Sequence, residues 1–88
     1  MNIAIDYDGT FNTDEKLWET FIKIAQWKGH NIYCVTMRKK YTRDMENIFR
    51  LIGPQNVIFA TTSKLKHKLV QDKNIRIDIW IDDEPYLI

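Results

Sequence analysis

The feature that most constrains this chain is an alternation of short, nearly continuous apolar runs with segments whose apolar residues recur at helical spacing. Asn2–Asp6 (with Ile3, Ala4 and Ile5), Ile32–Thr36, Val57–Thr61 and Ile77–Ile81 read as strands. Runs apolar on both of their alternating sides suit strands covered on both faces of a sheet. Between the first two, Leu17, Trp18, Phe21, Ile22, Ile24 and Ala25 mark a helix. Asn12 or Thr13 is its expected cap, Asp14 and Glu15 suit its first turn, and Gly29 stops it. Met45, Ile48, Phe49 and Ile52 share one face of a second helix, opened by Thr42 and closed by Gly53-Pro54. Leu65, Leu69 and Val70 are expected to face inward on a third, with Ser63 as its cap. The order βαβαβαβ predicts a doubly wound, Rossmann-like α/β domain: about four parallel strands with helices on both faces. Right-handed crossovers bring the strand C-terminal ends to one edge, where such sheets bind ligands.

Length and composition agree with a single folded domain over residues 1–88. At 44% hydrophobic and 28% charged, with three Gly and two Pro, the chain is neither disordered nor fibrous. No apolar run approaches the ~18–20 residues of a membrane span. Strand-like sequence from Ile3 leaves no room for a signal peptide, and the lone Cys34 forms no internal disulfide. A soluble, cytoplasmic protein with no membrane partner is the expectation.

The net charge of +1 hides an asymmetry: residues 38–76 carry ten Lys/Arg against three acids, and the rest three lysines against nine acids. Asp6 and Asp8 break the first strand, and residues two apart in extended chain point to one side, so both carboxylates can converge. Gly9 permits the turn that follows. Asp82 and Asp83 end the last strand, where neighbouring acids repel and a hard divalent cation such as Mg²⁺ compensates them. Thr36 ends the second strand with a hydroxyl able to donate to a phosphate oxygen. Lys64, Lys66 and Lys68 crowd the start of the third helix against its dipole, which suggests that one of them points at an anion. Arg38, Lys39, Lys40 and Arg43 follow Thr36 and read equally as a fringe of the same pocket or as a solvated loop. Phosphate-loop, dinucleotide and zinc-cluster motifs are absent.

Asp6-x-Asp8-Gly9-Thr10, the strand-end Thr36, a helix-start lysine and Asp82-Asp83 together resemble the haloacid dehalogenase-like superfamily of phosphotransferases. The four motifs occur in order across the whole chain. The segment from Asp78 to Pro85 looks like that of small, capless phage- and bacteria-encoded members. The resemblance implies a strand order of 3-2-1-4 and a phosphomonoesterase acting through an aspartyl-phosphate. It makes Asp6 the nucleophile and Asp8 the general acid, then base. Thr36 and either Lys66 or Lys64 would bind the phosphoryl group. Mg²⁺ would be held by the Asp6 carboxylate, the Asp8 carbonyl and Asp82, with Asp83 supporting. No insert is long enough for a cap domain. An open site favours a bulky phosphorylated substrate, such as a nucleotide or a phosphorylated nucleic-acid end, or a lid lent by a second subunit. Two other classes compete: a receiver-like phosphoacceptor, which needs an aspartate where Thr61-Thr62 stand, and a catalytically idle binding module of the same fold.

Overall fold

The computed structural model describes residues 1–88. Strands β1 (Asn2–Ile5), β2 (Asn31–Thr36), β3 (Val57–Phe59) and β4 (Ile79–Ile81) form one sheet, all neighbours parallel, in the order β3-β2-β1-β4. Helices α1 (Glu15–Trp27), α2 (Glu46–Ile52) and α3 (Lys66–Gln71) make the crossovers. The fold is the Rossmann-like α/β sheet expected. In register, Ile5 of β1 lies beside Cys34 of β2 on one side and Ile81 of β4 on the other.

Strand alternation sorts the core into two layers. Ile3, Ile5, Ile32, Cys34 and Val57 point to the face that α1 and α2 cover through Ile22, Ala25, Ile48 and Ile52, with Met45 just ahead of α2. Ala4, Val35 and Ile58 point to the opposite face, where Leu69 and Val70 of α3 pack, with Trp80 at the margin. Cys34 is fully buried, and burial pushes its thiol up to about 12, so it is core rather than a nucleophile. No helix is long and apolar enough to cross a membrane.

The element ends differ from the sequence reading in instructive ways. Asp14, rather than Asn12 or Thr13, caps α1, accepting from the Leu17 amide at 3.1 Å. Asn12 instead accepts from the Gly9 amide at 2.9 Å, and Thr13 donates to the Thr10 carbonyl at 2.6 Å, because Phe11–Thr13 form a 3₁₀ turn of their own. A further 3₁₀ turn over Arg43–Met45 leads into α2, so regular α-helix starts after the Thr42 expected to open it. β3 stops at Phe59, where the Ala60 amide turns to the Arg38 carbonyl, and β4 begins only at Ile79. Ser63 caps nothing: α3 begins at Lys66 with Leu65 before it. That start sets the helix phase, leaving Leu65 exposed and turning Lys66 inward.

Candidate active site

The C-terminal ends of the central strands carry the candidate residues. Asp6 continues β1 by one residue, its amide donating to the Ile81 carbonyl at 2.9 Å. Its carboxylate is therefore fixed between the two strands that end at Thr36 and Ile81. Asp6 and Thr36 are buried, 8% and 1% exposed. Beyond Asp6 the chain turns sharply at Gly9, whose φ of +83° lies in the left-handed region that favours glycine. A Cβ there would meet the Asp83 carboxylate at 2.3 Å, so glycine is what lets the two acidic segments approach.

Of the lysines in play, Lys66 enters the site. Its side chain is 1% exposed, and Nζ donates to Asp6 Oδ1 at 2.8 Å and Asp82 Oδ2 at 2.5 Å. Lys64, the other candidate, lies outside: it is half exposed and pairs with Asp72 at 2.7 Å. Burial alone would pull the Lys66 ammonium down, but the bonds to Asp6 and Asp82 outweigh it and hold the pKa above the ordinary value. For Asp6 the balance runs the other way. Burial lifts its carboxyl to about 6, opposed by Lys66 and reinforced by Asp82 and by a hydrogen bond to Asp83.

Asp6, Asp82 and Asp83 bring carboxylate oxygens within 4.8 Å of one another. This oxygen-only donor set fits a hard divalent cation. Thr10 orients the group by donating from its hydroxyl to Asp83 at 3.2 Å, and the Glu84 amide donates to Asp82 Oδ1 at 2.9 Å.

The Asp8 carboxylate stands apart from that cluster. Arg38 grips it through Nε and Nη2, both at 2.7 Å, and uses its remaining donors on Asp44, at 3.0 Å twice, and on Thr42 at 2.6 Å. The hydrogen bonds to Asp8 and then Asp44 raise the Arg38 pKa further, and Arg38 lowers that of Asp44. The guanidinium also lies 4.8 Å over the ring of Tyr7, whose hydroxyl donates to the Asp44 carbonyl at 2.6 Å. Burial, ahead of the nearby Asp44, pushes the Tyr7 phenol up to about 12, so it stays neutral.

Asp6, Asp8, Thr36 and Lys66 nonetheless line one cleft of about 90 Å³, completed by Met37, Glu84 and Leu87. Asp6 belongs both to this cleft and to the acidic cluster behind it. A larger hollow of about 370 Å³, near His67 and Trp80, holds no converging acids, so chemistry rather than size marks the site. Glu84 and Leu87 belong to no motif in the sequence, and Arg38 stands there only among the basic residues that follow Thr36. The one available signal for Arg38 was its spacing to Thr42 and Asp44, which suits a forked donor.

No protein-family model, curated protein or solved structure matches the chain.

Proposed function

We propose that the protein is a Mg²⁺-dependent phosphomonoester hydrolase that works through an aspartyl-phosphate on Asp6. The observation that carries this reading is the convergence of Asp6, Asp8, Thr36 and Lys66 on one cleft, with Asp82 and Asp83 beside Asp6. The resemblance of the same motifs to haloacid dehalogenase-like phosphotransferases supports it. Asp6, Asp82 and Asp83 would hold Mg²⁺, which when bound neutralises phosphate charge so that an anionic nucleophile can approach.

The chain's own groups account for the steps. The Thr36 hydroxyl accepts from the Arg38 amide at 3.2 Å, which leaves its proton for a phosphoryl oxygen. Lys66 offers an ammonium already beside Asp6, and so binds the same phosphoryl group. An Asp6 oxygen attacks phosphorus, the phosphorus–ester oxygen bond breaks, and the leaving oxygen takes the electron pair and a proton from Asp8. Asp8 then takes a proton from water, whose oxygen attacks phosphorus and breaks the bond to Asp6, releasing inorganic phosphate. Because Arg38 donates to both Asp8 oxygens, delivery of a proton to the leaving group requires this clamp to open on one of them.

That clamp favours one second reading, a module that accepts a phosphoryl group and turns over poorly. A screen over aryl phosphates, nucleotides, sugar phosphates and phosphorylated oligonucleotides, with and without chelator, decides between them. Hydrolysis that needs Mg²⁺ and vanishes in Asp6→Asn is expected. In Asp8→Asn, alkyl phosphates should suffer more than aryl phosphates, whose leaving groups need less protonation. Full activity in excess chelator, or turnover surviving in Asp6→Asn, overturns the proposal.

A further inference from the structure

The cleft is not open on every side. After Asp82 the chain folds back over the site: Pro85–Leu87 form a 3₁₀ turn, with the Leu87 amide donating to the Glu84 carbonyl at 3.0 Å and the Ile88 amide to the Pro85 carbonyl at 3.2 Å. Both ends of this segment are tied down. At its start the Glu84 amide is held by Asp82 Oδ1 at 2.9 Å. At its end the Ile88 oxygen takes the His67 amide at 2.9 Å and contacts His67 Nδ1. His67 follows Lys66 in α3, so one helical turn holds both the phosphoryl-facing ammonium and the latch of the returning segment. Leu87 and Glu84 thereby become walls of the cleft, with Met37 its other apolar lining residue.

The charge around this mouth is not what the basic middle of the sequence suggests. Arg38 is engaged by Asp8 and Asp44, Lys64 by Asp72, and Lys66 by Asp6 and Asp82. Lys39 lines a neighbouring hollow of about 230 Å³ with Ala60, Thr61 and Ser63, not the phosphoryl cleft. The cleft lining itself carries two further acids, Asp8 and Glu84. Within the cleft, a leaving group that brings further negative charge thus meets the Glu84 carboxylate and a Lys66 already paired, whereas an uncharged ring meets the side chains of Met37 and Leu87.

We infer that the Glu84–Ile88 segment, latched by His67, is the leaving-group wall of the cleft, and that Leu87 and Glu84 select phosphomonoesters of uncharged, apolar alcohols or phenols over polyanionic ones. This rests on the phosphatase reading and narrows it, moving the favoured substrate away from nucleic-acid ends. Leu87 acts on the leaving group, not on the transferred phosphoryl group.

The test uses the full chain with Mg²⁺ and three probes: 1-naphthyl phosphate, a 5′-phosphorylated oligonucleotide and inorganic phosphate as inhibitor. Wild type should show the higher kcat/KM for naphthyl phosphate. Leu87→Ala should raise its KM about five- to tenfold, the loss expected for one apolar side-chain contact, while the Ki of inorganic phosphate moves less than about twofold. Leu87→Met should restore most of the KM, which a mere folding defect would not allow. Glu84→Gln should lower the oligonucleotide KM and so narrow its gap to naphthyl phosphate. His67→Ala should raise the naphthyl KM and speed amide exchange at Leu87 and Ile88. A KM for naphthyl phosphate that ignores Leu87→Ala, or an oligonucleotide preferred by wild type, overturns the wall while the phosphatase reading stands. No hydrolysis of any ester by wild type overturns that reading, and this inference with it.

Discussion

Asp6→Asn should make the metal-free protein more stable at pH 8, although it removes one half of a buried ion pair. The Asp6 carboxyl sits at about 6 in the fold against 3.8 in an unfolded chain, chiefly because burial outweighs the Lys66 bond at 2.8 Å. The folded state therefore holds the Asp6 proton more tightly than the unfolded one. Below about pH 4 the group is protonated in both states and costs nothing; stability is lost as pH rises from about 4 to 6, and above that the penalty is constant. Two pKa units at 1.36 kcal/mol each make that penalty about 3 kcal/mol, a large share of the ~5–15 kcal/mol that holds a domain together. An amide of the same shape carries no such penalty. Urea unfolding in chelator, followed by the fluorescence of half-buried Trp18 and Trp80, measures it. The variant should match wild type near pH 4 and exceed it at pH 8 by about 3 kcal/mol, or roughly 12–24 °C in Tm for a domain of this size. Mg²⁺ should then stabilise wild type more than the variant, which keeps only Asp82 and Asp83 of the acidic cluster. A variant less stable than wild type at pH 8 would refute the argument, by showing that the Asp6–Lys66 attraction exceeds the cost of burying the carboxylate.

Lys66→Ala should cost about 3–5 kcal/mol, because it leaves the carboxylates of Asp6 and Asp82 without their buried partner, and should abolish hydrolysis. Lys64→Ala breaks only the exposed pair with Asp72 and should cost under about 1 kcal/mol with turnover intact. Chemical denaturation and an aryl phosphate assay check both, and equal effects from the two substitutions would remove Lys66 from its role. Gly9→Ala places a side chain at φ +83° and 2.3 Å from Asp83, so it should cost about 1–3 kcal/mol and weaken Mg²⁺ binding. Unchanged melting and Mg²⁺ titration in that variant would show that Asp83 does not need the close approach.

The sequence by itself determined the layering of this protein. Apolar runs at Ile3–Ile5, Ile32–Val35 and Val57–Ile58 are satisfied between two helical layers, and the periodic segments between them supply those layers, while Ile79 on the edge strand β4 stays exposed. It also placed Asp6, Thr36 and Asp82 at strand ends, because a break from apolar to polar at the end of a run is written in the residues themselves. What only the tertiary structure decided depends on helix phase and on partners far apart in the chain. Whether Lys64 or Lys66 turns inward hinges on where α3 begins, and no cap residue marks that start. Arg38 joins Asp8 to Asp44 across a loop, a pairing set by the turn at Gly9 and the 3₁₀ turn at Arg43–Met45 rather than by any local pattern. The return of Glu84–Ile88 over the cleft is likewise invisible locally. It exists because the amide and side chain of His67 at the start of α3 meet the oxygen of Ile88, a contact between residues 21 positions apart that only the folded sheet brings together.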